Sequence, residues 1–362
     1  MTLPIQLSQY KEAITAHSHH PPGEDNYLRA FYSAASELLE DNNSRLYHLT
    51  TSVVKSRAIT PLHFANLLFR TIQFVELFEV KNKLYPNTFS TKKIWLSQIE
   101  ECIQNYHALI RKLMLTRSTT TTIYQRYASL KFIISTVTVT EPIVIADFGC
   151  GGNYGLPGIV NHELFYPIKD HTTNEVVNTA LKKDILIKEG FAIDRENPYL
   201  DSIKQWRLAC SFYPSELIKM SDIIKLEKRL SHVQNITFLK EDLLTTNLQN
   251  IKAISQIKCN FVFIATLFYQ LTVEEQEKIL NEAKKILLPN GAIIVQDFAV
   301  KNITNPSTVL PISNWFKEPF SYRTFFASQR TNWNHLEILR WKDGRCTEVI
   351  EGSDFEALFT KV

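Results

Sequence analysis

Apolar residues recur every three to four positions through the first third of the chain and then contract into short continuous runs, so a helical segment precedes an alternating one. Tyr27, Leu28, Phe31, Ala34, Leu38 and Leu39 share one helix face. Thr60 and Pro61 offer a cap and a first-turn proline to a second helix carrying Leu62, Phe64, Leu67, Leu68, Ile72, Phe74, Val75 and Phe78. Pro86 and Asn87 interrupt it, and a third starts near Ser90 to Thr91 and runs through Trp95, Ile99, Ile103, Tyr106, Ile110 and Leu113. No glycine occurs between Gly23 and Gly149, which suits packed helices. Residues 24–117 are therefore expected to form an all-α domain. Residues 1–23, with His17, His19, His20, Pro21 and Pro22, read as a flexible leader without a metal role.

After the Thr-rich stretch Ser118 to Thr122, helical spacing resumes through Tyr124, Tyr127, Leu130, Ile133 and Ile134 and leads into Ile143-Val144-Ile145-Ala146. That run has the composition of a strand covered on both faces. Asp147 ends it, and Gly149, Gly151, Gly152 and Gly155 make a turn that a ligand can approach without meeting Cβ atoms. Asn235 to Leu239, Phe261 to Ala265 and Ala292 to Phe298 are further short apolar runs. A helix from Thr272, with the Thr272 to Glu275 spacing of a capping box, separates the last two. Tyr322 to Phe326 and His335 to Trp341 read as strands, with an Asp343-Gly344 hairpin turn and a return over Cys346 to Ile350.

Asp147-Phe148-Gly149-Cys150-Gly151 resembles the D-x-G-x-G first motif of the class I, Rossmann-like S-adenosylmethionine-dependent methyltransferases. Leu287-Leu288-Pro289-Asn290-Gly291 between helix and strand resembles that family's L-x-P-G-G segment. The likeness covers roughly Thr121 to Val300. It implies an α/β domain over 118–362, mostly parallel with an antiparallel C-terminal edge, carrying an insertion at about 160–205. It also implies S-adenosylmethionine as cofactor, S-adenosylhomocysteine as product, and no metal. By the same resemblance Asp147, Gly149, Cys150, Gly151 and Asn153 pack around the methionine part, with Asn153 standing where the family has a third glycine. Asp242 is placed on the adenine amine, the Leu243 amide on a ring nitrogen, Ala265 and Thr266 beside the cofactor, and Arg126 and Tyr127 over its carboxylate and adenosyl parts.

The family's second strand ends in an acid for the ribose hydroxyls, and two stretches compete for it. Gly190 to Ile193 ends in Asp194. Trp206 to Phe212 is followed by Pro214 and Ser215, good helix-start residues, and is the preferred strand; it puts Ser211 where the acid belongs and Asp194 in the insertion.

The chemistry on the acceptor side is less defined. No Asn/Asp-Pro-Pro-aromatic motif follows Ala265, and Thr266-Leu267-Phe268-Tyr269-Gln270 stands there instead, which fits a small, natural-product-like acceptor at O, N or C. Tyr269, Gln270 and Asp297 are the catalytic candidates, Gln296 a further one, and His162 and Asp194 candidates for holding substrate. Trp315, Phe316, Phe320, Tyr322, Phe325, Phe326 and Trp333 would suit an aromatic ligand or simple sheet packing. A net charge of +3 on 362 residues argues against nucleic acid as partner. Five scattered cysteines read as reduced thiols, and with no apolar run of membrane-spanning length the expected location is cytoplasmic. The helical domain is expected to act as lid, homodimer surface or docking module. The competing readings are a methyltransferase of protein or RNA docked by that domain, and a silent fold used for binding.

Overall fold

A computed structural model describes residues 3–82, 91–120, 123–137, 141–230, 233–298 and 320–360. Within them the chain divides into a helical unit, from Met1–Thr121 and Leu200–Ile223, and a sheet unit, from Thr122–Tyr199, Ile224–Leu310 and Glu318–Val362. Pro86, Asn87, Trp315 and Phe316 fall outside the described residues.

The helical unit contains α1 (Leu3–His19), α2 (Asn26–Glu40), α3 (Arg45–Ser56), α4 (Pro61–Phe74) and α5 (Lys92–Thr116). Asp25, Ser44, Thr60 and Thr91 cap the last four by accepting a backbone N–H three residues on. The expected flexible leader is instead mostly helix α1. Tyr10, Ala13, Ile14 and His17 lie on one face and are buried, and Tyr10 Oη donates to Ile59 O at 2.6 Å. Few strong hydrophobes mark that face, so its period was easy to miss. Burial pushes the His17 imidazole down to about 3, which leaves a neutral ring against Tyr32.

The preferred second strand is also overturned. Trp206 to Ser211 belongs to a helix, Asp201–Ser211, of this same unit. Ile203, Trp206, Arg207 and Cys210 recur at helical spacing and are buried, and Arg70 and Gln73 of α4 donate to the carbonyls of Ala209 and Phe212. An isolated apolar run can be read at either period when only one or two turns are visible.

The sheet unit is organised on nine strands in the order β2-β9-β8-β7-β6-β5-β1-β3-β4. These are β1 (Ile143–Phe148), β2 (Lys169–Asp170), β3 (Ile187–Asp194), β4 (Ile236–Lys240), β5 (Cys259–Ala265), β6 (Leu287–Phe298), β7 (Tyr322–Ser328), β8 (Leu336–Trp341) and β9 (Glu348–Glu351). From β4 through β6 the pairs are parallel, and β6, β7, β8 and β9 form an antiparallel meander. The order reverses at β1, flanked by β3 and β5, which is a topological switch point. Alternation divides the core between the two faces. Ile143, Ile145, Phe263 and Ile294 pack on one side, and Val144, Ala146, Phe148, Val262 and Val295 on the other. A short 3-10 turn (Tyr124–Tyr127) and α6 (Ala128–Val137) lead into β1.

The Leu287 to Gly291 segment was expected as a turn but is drawn into the start of β6, with a register shift opposite Cys259 to Phe261. A Cβ on Gly291 would lie 3.0 Å from the carbonyls of Cys259 and Asn260, so the neighbouring strand accounts for this glycine. In the β8–β9 turn the positive φ falls on Cys346 (+53°) rather than on Gly344. No described helix is long and apolar enough to cross a membrane.

Because Trp206 fills the core of the helical unit and lies on no strand, Trp206→Ala should cost about 3–5 kcal/mol. Chemical denaturation followed by far-ultraviolet circular dichroism measures it.

Candidate active site at the carboxyl edge of the sheet

Gly149 (φ +73°), Gly151 (φ +56°) and Asn153 (φ +53°) take left-handed backbone conformations in the turn after β1. The end of β3 holds this turn. Ile193 O accepts from Gly149 N at 2.9 Å and Cys150 N at 3.2 Å, and Asp194 Oδ2 accepts from Gly151 N at 3.0 Å. Asp194 Oδ1 accepts from Glu196 N at 3.0 Å, which fixes the loop that leaves β3. Burial pushes Asp194 up to about 6, opposed by those two amide hydrogen bonds. The alternative register is therefore the correct one: the acid that ends the second parallel strand is Asp194, not a residue of an insertion.

Asp147 lies inside the fold, and Tyr127 Oη donates to its Oδ2 at 2.6 Å. Burial is the main cause of its rise to about 7, with the nearby Asp194 charge adding to it. The Tyr127 ring presses on the helix that starts the next element, α7 (Gly155–Val160); a Cβ on Gly155 would sit 1.8 Å from it, and one on Gly158 2.4 Å from the Tyr124 ring. These two glycines are present for close packing. The turn's third position is different again. Asn153 is buried, its Nδ2 donates to Tyr199 Oη at 2.9 Å, and its Oδ1 has no hydrogen-bond partner among the described residues.

Asp242 and Leu243 follow β4. Glu241 N donates to Asp194 O at 3.0 Å, which brings the two strand ends together, and Asp242 Oδ1 accepts from Leu244 N at 2.9 Å. Leu243 is buried. Ala265 ends β5, and Thr266 beyond it has φ +55°. Asp297, near the end of β6, accepts from Phe268 N at 2.6 Å and Tyr269 N at 3.3 Å through Oδ2, and from Phe298 N at 2.7 Å through Oδ1. This carboxyl, which burial holds at about 6, is the anchor of the 266–270 loop. Tyr269 packs edge-on to Phe298 at 5.7 Å, and Gln270 Nε2 donates to Thr266 O at 3.0 Å.

Arg126 is buried, donates from Nε to Gly344 O at 2.8 Å and lies 5.9 Å from the Tyr322 ring centre. Gln296 is enclosed between Ser129, Thr324 and Cys346, all hydrogen-bonded to it. Two candidates are not part of this group. Ser211 belongs to the helical unit, where its hydroxyl donates to Arg207 O at 2.8 Å. His162 follows α7, is exposed and pairs at 3.3 Å with Asp184, which precedes the amino end of β3. It therefore stands at the edge of the sheet opposite the glycine turn. Tyr199 was missed, since it follows Asp194 by five residues, a placement visible only once Asp194 is known to end a strand; Tyr322 was named only within the aromatic group that sheet packing also explains. Among the described residues no group of three His, Cys, Asp or Glu could hold a metal.

The parallel order that reverses at β1, with the antiparallel edge beyond β6, is a doubly wound, Rossmann-like α/β sheet whose glycine turn and strand-end acid stand at the switch point. No protein-family model and no curated protein matches the chain. Solved structures with a similar arrangement include a methyltransferase in complex with the Trm112 methyltransferase activator of Haloferax volcanii, at 14% identity over 49% of this chain and 55% of that one, TM-score 0.29. Others are N-methyltransferase NodS from Bradyrhizobium japonicum (11%, 53% and 81%, TM-score 0.28) and phosphoethanolamine N-methyltransferase 1 of Haemonchus contortus with phosphoethanolamine and S-adenosylhomocysteine (17%, 51% and 27%, TM-score 0.27). The chain thus spans about half the length of the first.

A carboxyl raised above its ordinary value binds a proton in the folded state that the unfolded chain has already lost. Its contribution therefore makes stability fall as pH rises from about 4 to about 7. Asp147→Asn removes that contribution and keeps an acceptor for Tyr127. The variant's melting temperature should gain on the wild type's as pH goes from 4 to 8, measured by scanning calorimetry at each pH.

Proposed function

We propose that the sheet unit binds S-adenosylmethionine across the carboxyl ends of β3, β1 and β5 and transfers its methyl group to a small acceptor. The observation that carries the reading is Asp194, whose carboxylate closes the strand beside the glycine turn and receives the turn's own Gly151 amide. The residues present fit such a cofactor. Each Asp194 oxygen accepts one amide and keeps lone-pair capacity for a ribose hydroxyl. Gly149 and Gly151 let the backbone approach a ligand closely, and the buried Asn153 Oδ1 is an acceptor awaiting a donor.

Bound there, the cofactor supplies an electrophilic methyl on a sulfonium, for which in-line alignment and exclusion of water are the main requirements. In this reading the Gly149 to Asn153 turn holds the methionine end, Asp194 the ribose, and Asp242 with the Leu243 amide the adenine. Tyr127 acts from below by holding Asp147 and packing on Gly155, so that the turn keeps its shape. Asp297 positions the 266–270 loop; with backbone amides on both oxygens it is an anchor in preference to a general base. A small acceptor is supported by the apolar and hydroxyl-bearing character of that loop and by the rings of Tyr269, Phe298 and Tyr322 beside it.

Calorimetric titration with S-adenosylhomocysteine tests this. Micromolar binding is expected, weakened at least about tenfold by Asp194→Ala, since a hydrogen bond to a charged group contributes about 1.5–3 kcal/mol. Affinity should also fall as pH drops through about 6, because protonation of Asp194 removes acceptor capacity. Absence of binding to the folded wild type overturns the proposal; binding indifferent to Asp194→Ala and to Asp242→Ala overturns the assignment of these contacts.

A further inference from the structure

Thr266 is held where a β-branched residue is seldom found. Its φ of +55° is a left-handed conformation in which the branched Cβ crowds the following carbonyl, a strained backbone position. Three separate contacts keep it there: Thr266 N donates to Gln296 O at 2.8 Å, Gln270 Nε2 donates to Thr266 O at 3.0 Å, and the hydroxyl meets Tyr322 Oη at 2.7 Å. Asp297 fixes the next residues of the loop through Phe268 N and Tyr269 N. A turn with no other duty would be served with less strain by glycine or asparagine.

The hydroxyl pair is also incomplete. Two O–H groups face each other and one proton satisfies the contact, so the second proton has no other partner among the described residues. Tyr322 is fully buried, whereas Thr266 is half-buried at the carboxyl end of β5, so the open side of the pair is the side of the proposed methyl-transfer site. Phe298 lies 4.8 Å from the Tyr322 ring and Tyr269 lies 5.7 Å from Phe298, a run of faces and edges suited to another ring. The Arg126 guanidinium lies 5.9 Å from the Tyr322 ring centre and the Asp297 carboxyl acts on the same tyrosine, so the pair sits among charges of both signs and suits a neutral hydroxyl better than an ion.

Building on the methyltransferase reading above, we propose that Thr266 and Tyr322 form the acceptor subsite, and that the acceptor is a ring-bearing phenol whose hydroxyl joins their hydrogen-bonded pair beside Arg126. The third hydroxyl completes the unsatisfied valence, and the ring lies against Phe298 and Tyr269. Burial raises Tyr322 above its ordinary value, so it stays protonated and acts by hydrogen bonding, as a positioning group and not as a base.

The test uses the whole chain saturated with S-adenosylhomocysteine and titrates it with 4-methylphenol. 4-Methylanisole, with its hydroxyl blocked, and 4-methylbenzylamine, a cation, serve as comparators. The phenol should bind at least about tenfold more tightly than either comparator. Tyr322→Phe should lower phenol affinity about tenfold while S-adenosylhomocysteine binds as before; Thr266→Ser should keep phenol binding and Thr266→Val lose it. A role confined to holding the loop would move the melting temperature and would not distinguish phenol from anisole. Equal binding of the anisole, preference for the amine, no binding of any probe, or indifference to Tyr322→Phe each overturns the subsite. Failure of S-adenosylhomocysteine itself to bind would instead overturn the cofactor reading.

Discussion

The join between the end of β3 and the turn after β1 is the contact on which the site depends. Ile193 gives one carbonyl to two successive amides, and Asp194 takes the third, so Gly149, Cys150 and Gly151 are all held from one neighbouring strand. A turn with two left-handed glycines has high conformational entropy when free, and fixing its donors removes that cost before any ligand arrives. Because β1 is buried on both faces and registered against both β3 and β5, the join cannot shift by a residue without turning core side chains to the wrong face.

Much of this was legible in the sequence, and the reasons differ from element to element. Thr60-Pro61 and Thr91 announced their helices because a cap is a local chemical signal. Ile143 to Ala146 announced its strand because the run is short, apolar and stopped by Asp147. The stretch from Trp206 to Ser211 misled, since a six-residue window holds fewer than two helical turns and the Pro214-Ser215 pair that follows marks a helix start equally well after a helix or a strand. Preferring it moved the expected end of the second strand from Asp194 to Ser211. Helix α1 hid for the opposite reason: its buried face contains a histidine and an alanine where a stronger stripe would carry leucines.

The site residues show the same division. Asp147, Gly149 and Gly151 could be found because a motif names them, whereas the Thr266 to Tyr322 contact joins positions 56 apart, and no local pattern records a pairing between the end of β5 and a strand two places along the sheet. Gly155 looked like part of a ligand cradle, and Gly158 follows it on the same short helix. Their neighbours Tyr127 and Tyr124 show that bulky rings, not a ligand, exclude a Cβ there.

Three of the strands at this edge end at an aspartate or one residue after it: the buried Asp147 on β1 and Asp297 on β6, and the partly buried Asp194 on β3. Parallel strands deliver their loops to the same edge, and each loop begins with backbone N–H groups that lack strand partners, so an acid at the strand end can gather them. Asp194 and Asp297 do this directly, and Asp147 takes the Tyr127 hydroxyl instead. Burial raises all three, and the hydrogen bonds each accepts work against that rise. The hydrogen bonds that shape the loops therefore also favour the charged form of the carboxyls that accept them, so loop geometry and the charge along this edge are set by the same contacts.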